Sequence, residues 1–286
     1  MKDFILKQLV TPLFSSRYKL FWPYRQATWH SRAYPDFLII GAMKSGTSSL
    51  FSYLSQHPQL YPSCKKEIHF FDGGLNPDVD SYEKGQAWYR AHFPLRNRMS
   101  TESKTFEASP LYIFNPLAPK RIFALVPKVK IIAVLRNPSE RAISHYFHEK
   151  WKNREPLSIY EALQEEEKRL ELVIKRKDYK NRIFIDYSYK NRGLYKEQIE
   201  RYLDHFSWQK ILIISSEDLF NEPESTLRRV FDFVEVDKGF KVQEMRSRNV
   251  ARNRNEVDPN INKYLDNYFL PHNQALYELV GKSFGW

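Results

Sequence analysis

Three short, almost wholly apolar runs stand far apart along the chain, and between them apolar residues recur at helical spacing. FLIIG (37–41), KVKIIAVL (128–135) and KILIIS (210–215) have the length and composition of strands buried on both faces. After the first run, TSSLFSYLSQH places Leu50, Phe51 and Leu54 on one face of a helix that Pro58 stops. A helix is predicted over 115–127, with Asn115 as N-cap and Pro116 at its first position. Pro138 and Ser139 open the next, SERAISHYFHEKW. Pro156 opens a charged helix to about Arg176, whose run Glu165–Arg169 reads as a solvated face. Residues 193–206 are amphipathic, and Pro223 starts a helix through Val234. Residues 241–257 are polar and basic and read as a loop. Asp258-Pro259 starts C-terminal helices with a break near Pro271. Strands alternating with helices predict an α/β fold: a P-loop-like, mostly parallel central sheet with helices on both faces, in a single domain. Ligands of such sheets bind outside the carboxyl ends of the strands.

At 286 residues the chain accommodates one large domain, placed at 34–286, behind a basic aromatic extension at 1–33. That extension sets Phe14, Tyr18, Phe21, Trp22, Tyr24 and Trp29 among Lys7, Arg17, Lys19, Arg25 and Arg32. It could pack on the domain or make peripheral contact with a membrane surface. The formal charge of +11 points to an anionic partner: nucleic acid, a membrane, or a phosphorylated or sulfated small molecule. The single cysteine, Cys64, excludes an internal disulfide framework and a cysteine-based zinc site. There is no uncharged apolar window of about 18–20 residues. Lys2, Asp3 and Lys7 interrupt the N-terminus too early for a signal peptide. The expected location is cytoplasmic, soluble or peripherally membrane-associated.

Three clusters carry chemistry. Gly41-Ala42-Met43-Lys44-Ser45-Gly46-Thr47-Ser48 follows the first strand and has the logic of a phosphate cradle: glycines for close backbone approach, amides at a helix N-terminus, a mobile cation and hydroxyl donors. The lysine precedes the second glycine, so the segment does not match the ATPase pattern GxxxxGK[ST]. The second strand ends in Arg136-Asn137-Pro138, where a magnesium-dependent NTPase would place an aspartate. Ser144 lies eight residues past Arg136 on the following helix, and the two can grip one phosphate. The third cluster is Lys65-Lys66-Glu67-Ile68-His69-Phe70-Phe71-Asp72. If it is extended, Glu67 and His69 face the same side, as a general base and its imidazole neighbour would.

Together these segments resemble the sulfotransferase superfamily that uses PAPS, the 3′-phosphoadenylyl sulfate donor. GAMKSGTSSL resembles its 5′-phosphosulfate loop, VLRNPSERAISHY its 3′-phosphate motif, and KKEIHFFD the KExHFFD segment of the heparan-sulfate-type branch and its soluble bacterial relatives. Glu107-Ala108-Ser109-Pro110-Leu111-Tyr112 resembles a recurring E-x-[ST]-P-x-Y element, and Gly193-Leu194-Tyr195 the element before the helix preceding the last strand. The resemblance spans roughly 37 to 260. It implies that Lys44 binds the 5′-phosphosulfate and stabilises the leaving group, with Ser45, Gly46, Thr47 and Ser48 completing the loop. It implies further that Arg136 and Ser144 hold the 3′-phosphate, that Tyr195 belongs to the donor site, and that Glu67 is the base with His69 beside it. The loop RNVARNR corresponds in position to the segment that closes over the donor, through Arg252 or Arg254.

The implied reaction is in-line transfer of a sulfuryl group from PAPS to a hydroxyl or amine, most naturally of a glycan, leaving adenosine 3′,5′-bisphosphate and requiring no metal. A lipid or carrier-bound acceptor is the variant reading. A P-loop small-molecule kinase is the enzymatic competitor; it would need the usual lysine position and a metal-holding carboxylate, and neither is present. A nucleic-acid-binding role is disfavoured because the basic residues are spread over the whole chain.

Overall fold

The computed structural model describes residues 21–245 and 257–286. Its centre is a five-stranded sheet: β1 (Phe37–Gly41), β2 (Leu60–Pro62), β3 (Lys104–Ala108), β4 (Lys130–Leu135) and β5 (Ile211–Ser215). The order is β2-β3-β1-β4-β5, and every pairing is parallel. The alternation of side chains explains why the long runs are apolar throughout. Leu38, Ile40, Ile131, Ala133, Leu135 and Ile213 point into one core. Phe37, Ile39, Ile132, Val134 and Ile214 point into the other. The first core is closed by the helices Ala118–Leu125, Ile159–Lys175, Tyr195–Leu203 and Pro259–Val280, the second by Thr47–Leu54 and Pro223–Val234. Each fully buried Leu, Ile or Phe contributes about 1.5–3 kcal/mol, so the two faces together dominate the stability. A third cluster joins Ala142, Ile143, Tyr146, Leu163, Leu265 and Phe269 beside the sheet.

The sheet is wholly parallel and has two strands beyond the three apolar runs. β2 has three residues, and β3 carries Lys104 and Glu107, which break its apolar pattern. The helix expected from 115 spans Ala118–Leu125; Asn115 Oδ1 instead accepts from Leu117 N at 2.9 Å in the preceding turn. Pro271 does not divide the C-terminal helix, which runs unbroken over Pro259–Val280. The proline costs about 3 kcal/mol, but Leu265, Phe269 and Leu276, all buried, anchor both sides of it. The run Glu165–Arg169 is not simply solvated. Glu166 is buried and accepts from the backbone of Lys190 and Asn191 at 2.6 and 2.8 Å, and Arg169 pairs with Glu155 at 2.7 Å.

The described part of the extension packs on the domain. In the helix Trp22–Ala27, Arg25 donates to the carbonyls of Ala91 and Phe93 at 2.6 and 2.9 Å, and Trp22 stands edge-on to Trp88. Phe21 and Tyr24 face outward.

Candidate active site

Four of the marked segments leave the sheet at the carboxyl end of a strand. Residues 42–48 follow β1, 67–72 follow β2, 109–112 follow β3 and 136–144 follow β4. They border one cleft of about 1440 Å³.

The loop after β1 is shaped by its glycines. Gly46 has φ +95°, open to glycine and strained for other residues, and a Cβ there would stand 3.0 Å from the Phe220 ring. Lys44 also has positive φ, at 70°. The helix Thr47–Leu54 that follows has no side-chain cap, so its positive end is presented to the cleft. Burial lowers the Lys44 pKa, and the neighbouring charges of Arg136 and Lys152 push the same way. An arriving anion would relieve that crowding.

Arg136 ties the loop to the next strand: its Nη1 donates to Lys44 O at 3.0 Å, while Nη2 pairs with Glu140 at 2.6 Å. Asn137 caps the helix Pro138–Trp151 by accepting from Ser139 and Glu140 N, and this orients Ser144 into the cleft. Tyr195, fully buried behind, donates from its hydroxyl to Arg136 O at 3.0 Å.

The KKEIHFFD segment is not extended. Glu67 and His69 both adopt left-handed backbone, φ 61° and 56°, and this turn brings Glu67 Oε2 to 3.4 Å from His69 Nε2. His69 Nδ1 lies 2.6 Å from Asp72, and Lys66 Nζ lies 2.6 Å from the other Glu67 oxygen. Burial alone would raise the Glu67 carboxyl, but the His69 imidazole 3.4 Å away and the charge and hydrogen bond of Lys66 outweigh it and hold it at about 2, below the ordinary carboxylate range. Burial disfavours a charged His69, yet Asp72 and then Glu67 override this and push it up to about 9. The unit is a carboxylate–imidazolium–carboxylate chain.

The far wall carries His148, Glu149, Arg154, Asp186 and Arg192. Arg154 bridges Glu149 and Asp186 at 3.3 and 3.4 Å. Burial, then Lys44 and Lys152, lower His148 to about 4. Trp151, 79% exposed, stands at the rim with Lys150 and Lys152.

Lys44, Gly46, Thr47, Ser48, Glu67, His69, Arg136 and Ser144 thus line one cleft. Ser45 is buried beneath it and Tyr195 behind it. Arg252 and Arg254 lie outside the described residues. Asp72, the last residue of the marked KKEIHFFD segment, takes on a role only in the structure, as the partner of His69 Nδ1. Glu140 lies four residues after Arg136 within the marked segment, whereas His148 and Arg192 carry no such signal, because only the fold brings them here. Among the described residues no cluster of His, Cys, Asp or Glu has the arrangement of a metal site, and no helix is long and apolar enough to cross a membrane.

A doubly covered parallel sheet, with a glycine-turned loop after its first strand and Arg136 and Ser144 after its fourth, thus frames the cleft. The chain belongs to the sulfotransferase-domain family, whose model matches residues 34–274. Among similar proteins, human heparan sulfate glucosamine 3-O-sulfotransferase 3B1 is 32% identical, over 90% of this chain and 66% of its own. The membrane-associated sulfotransferase kil1 of Dictyostelium discoideum is 29% identical, over 88% of this chain and 66% of its own. For the Xenopus laevis bifunctional heparan sulfate N-deacetylase/N-sulfotransferase 1 the identity is 31%, covering 87% of this chain but 30% of the relative. The chain therefore spans two thirds or less of these relatives. A sulfotransferase from Alicyclobacillus acidocaldarius superposes with TM-score 0.71 at 32% identity, covering 88% of this chain and 98% of that one. A mouse sulfotransferase complexed with PAP shares the fold at TM-score 0.52 and 14% identity.

Proposed function

We propose that this sulfotransferase takes its sulfuryl group from PAPS and delivers it to a hydroxyl or amine of a saccharide, with Glu67 as the base. The observation that carries this reading is the opening of the Lys44–Ser48 loop, the Arg136–Ser144 pair and the Glu67–His69 pair into one cleft. The names of the heparan sulfate relatives support the acceptor class. So does the rim, where the indole of Trp151 beside Lys150 and Lys152 suits a sugar ring bearing anionic groups.

The residues fit the donor. The uncapped helix start, Lys44 and the loop backbone would hold the 5′-phosphosulfate, and Arg136 with Ser144 the 3′-phosphate. When bound, the donor supplies an activated sulfur and a phosphate leaving group. The acceptor oxygen or nitrogen forms its bond to sulfur as the sulfur–oxygen bond to phosphate breaks. Lys44 balances the charge that develops on the departing phosphate, the kind of contact worth about 3–4 kcal/mol of barrier. Glu67, ionised at physiological pH, takes the acceptor proton once bond formation has made it acidic. His69, charged and held by Asp72, fixes the direction of the Glu67 carboxylate. Contact of residues 1–33 with an anionic lipid surface belongs to the same proposal. It is supported by the outward Phe21 and Tyr24 and by the naming of one relative as membrane-associated.

The test is transfer of radiolabelled sulfate from PAPS to a panel of heparan-type saccharides, with lipid and carrier-bound hydroxyls alongside. In parallel, the protein should be retained on immobilised adenosine 3′,5′-bisphosphate and released by that ligand but not by ATP. Absence of retention would overturn the donor assignment. Transfer only to a non-saccharide would overturn the acceptor.

A further inference from the structure

Glu67 and His69 hold backbone conformations that non-glycine residues rarely adopt. Such conformations persist only where the surroundings impose them. Here the surroundings are β3 and the turn after it. Glu67 N donates to Ala108 O at 3.0 Å, His69 N to Ser109 Oγ at 3.2 Å, and Phe70 N to Tyr112 Oη at 2.9 Å. Two of these three acceptors are hydroxyls, and a hydroxyl has a single proton of its own to direct. Both send it to one carboxylate: Ser109 donates to Glu107 Oε2 at 3.0 Å, and Tyr112 to Glu107 Oε1 at 3.1 Å. Tyr89 donates to Oε1 as well, at 2.8 Å.

Glu107 is fully buried inside a strand, where a carboxylate is expensive and an apolar residue would pack. It touches neither the cleft nor the reacting groups. Burial pushes its carboxyl up to about 7 against the hydroxyls of Tyr89, Ser109 and Tyr112 that donate to it; above that pH it is ionised and offers only acceptors, so it fixes which way both hydroxyl protons point and leaves their lone pairs turned to the loop amides. A neutral amide in its place would present a donor to one of them and reverse that direction.

We infer that Glu107 is a positioning residue for the reaction, acting through Ser109 and Tyr112 to hold residues 67–70 in the turn that sets Glu67 against His69 and aims both into the cleft. The E-x-S-P-x-Y element thereby acquires a physical role, since its first, third and sixth residues form the brace. The inference rests on the reading of Glu67 as the base.

The test uses Tyr112→Phe, which keeps the ring, and Glu107→Gln, which keeps the shape and reverses one hydrogen bond. Three quantities are measured: affinity for adenosine 3′,5′-bisphosphate, single-turnover rate at saturating PAPS, and the low-field proton NMR line of His69 Nδ1–H, assigned by its loss in His69→Asn. Nucleotide affinity should stay within about threefold, while the rate falls by up to about 10²-fold, the scale of a small misplacement of a reacting group. The His69 line should shift or broaden. If Glu107→Gln does not fold, Ser109→Ala replaces it, with Ser109→Thr expected to restore the rate. A folded Tyr112→Phe turning over like wild type overturns the inference. So does an unmoved His69 line, even where the rate falls. The NMR and affinity measurements need no acceptor. Failure of the base assignment would show separately, as a Glu67→Gln variant with near wild-type turnover.

Discussion

Glu67 and His69 are shifted in opposite directions, His69 upward by Asp72 and then Glu67, Glu67 downward by His69 and Lys66. His69 stands at about 9 against an ordinary 6.5, so its contribution is complete below about 6.5 and disappears as the pH rises through 9. Glu67 stands at about 2 against 4.5, so its contribution is complete above about 4.5 and disappears as the pH falls through 2. The pair is fully effective between those ordinary values. We predict that wild type loses stability relative to His69→Asn between pH 7 and 9; parallel denaturation midpoints over that range would refute it. Glu67→Gln should leave nucleotide affinity within a few-fold while turnover drops by about 10²–10⁴, the usual share of a positioned base. Retention of more than about a tenth of the rate would mean that another group takes the acceptor proton. Arg136→Ala removes a charge-assisted contact and should weaken adenosine 3′,5′-bisphosphate by about 1.5–3 kcal/mol in calorimetry; unchanged binding would place the 3′-phosphate elsewhere. These residues were legible because charge, hydroxyl and glycine types cluster within a few positions. Glu107 was visible only as a letter in a pattern, since its partners Tyr89, Ser109 and Tyr112 acquire meaning once the chain folds.

At the scale of elements, β1, β4 and β5 were legible because both faces of each are buried and the residues say so. β3 was hidden by Lys104 and Glu107, and the second of these is inward because of its bonding partners, not its hydropathy. β2 is too short to show a period. Helix ends were less legible still, as the Pro259–Val280 helix shows by running through its proline. The loop after β1 offers the sharpest test of an element. Gly46→Ala adds a Cβ 3.0 Å from the Phe220 ring at a backbone φ of +95°. It should cost about 1–2 kcal/mol of stability and weaken nucleotide binding by an order of magnitude or more. A variant with wild-type affinity would mean that the loop does not form the cradle.

For the whole molecule, the strand end that would carry a metal-holding carboxylate in an NTPase carries Arg136. Turnover is therefore predicted to survive EDTA; abolition by EDTA and rescue by magnesium would favour phosphoryl transfer. The charge of +11 suggests an anion sponge whose grip should collapse in salt. The cleft is built otherwise. Arg136 is held by Glu140, Arg154 by Glu149 and Asp186, and Lys66 by Glu67. The site thus carries its own counterions, fixed to the protein. At Arg136 an entering nucleotide exchanges one internal partner for another, whereas at Lys44, crowded by Arg136 and Lys152, it supplies a counter-charge. Its affinity should vary with ionic strength far less than the net charge would suggest, and product should leave as Glu140 reclaims Arg136.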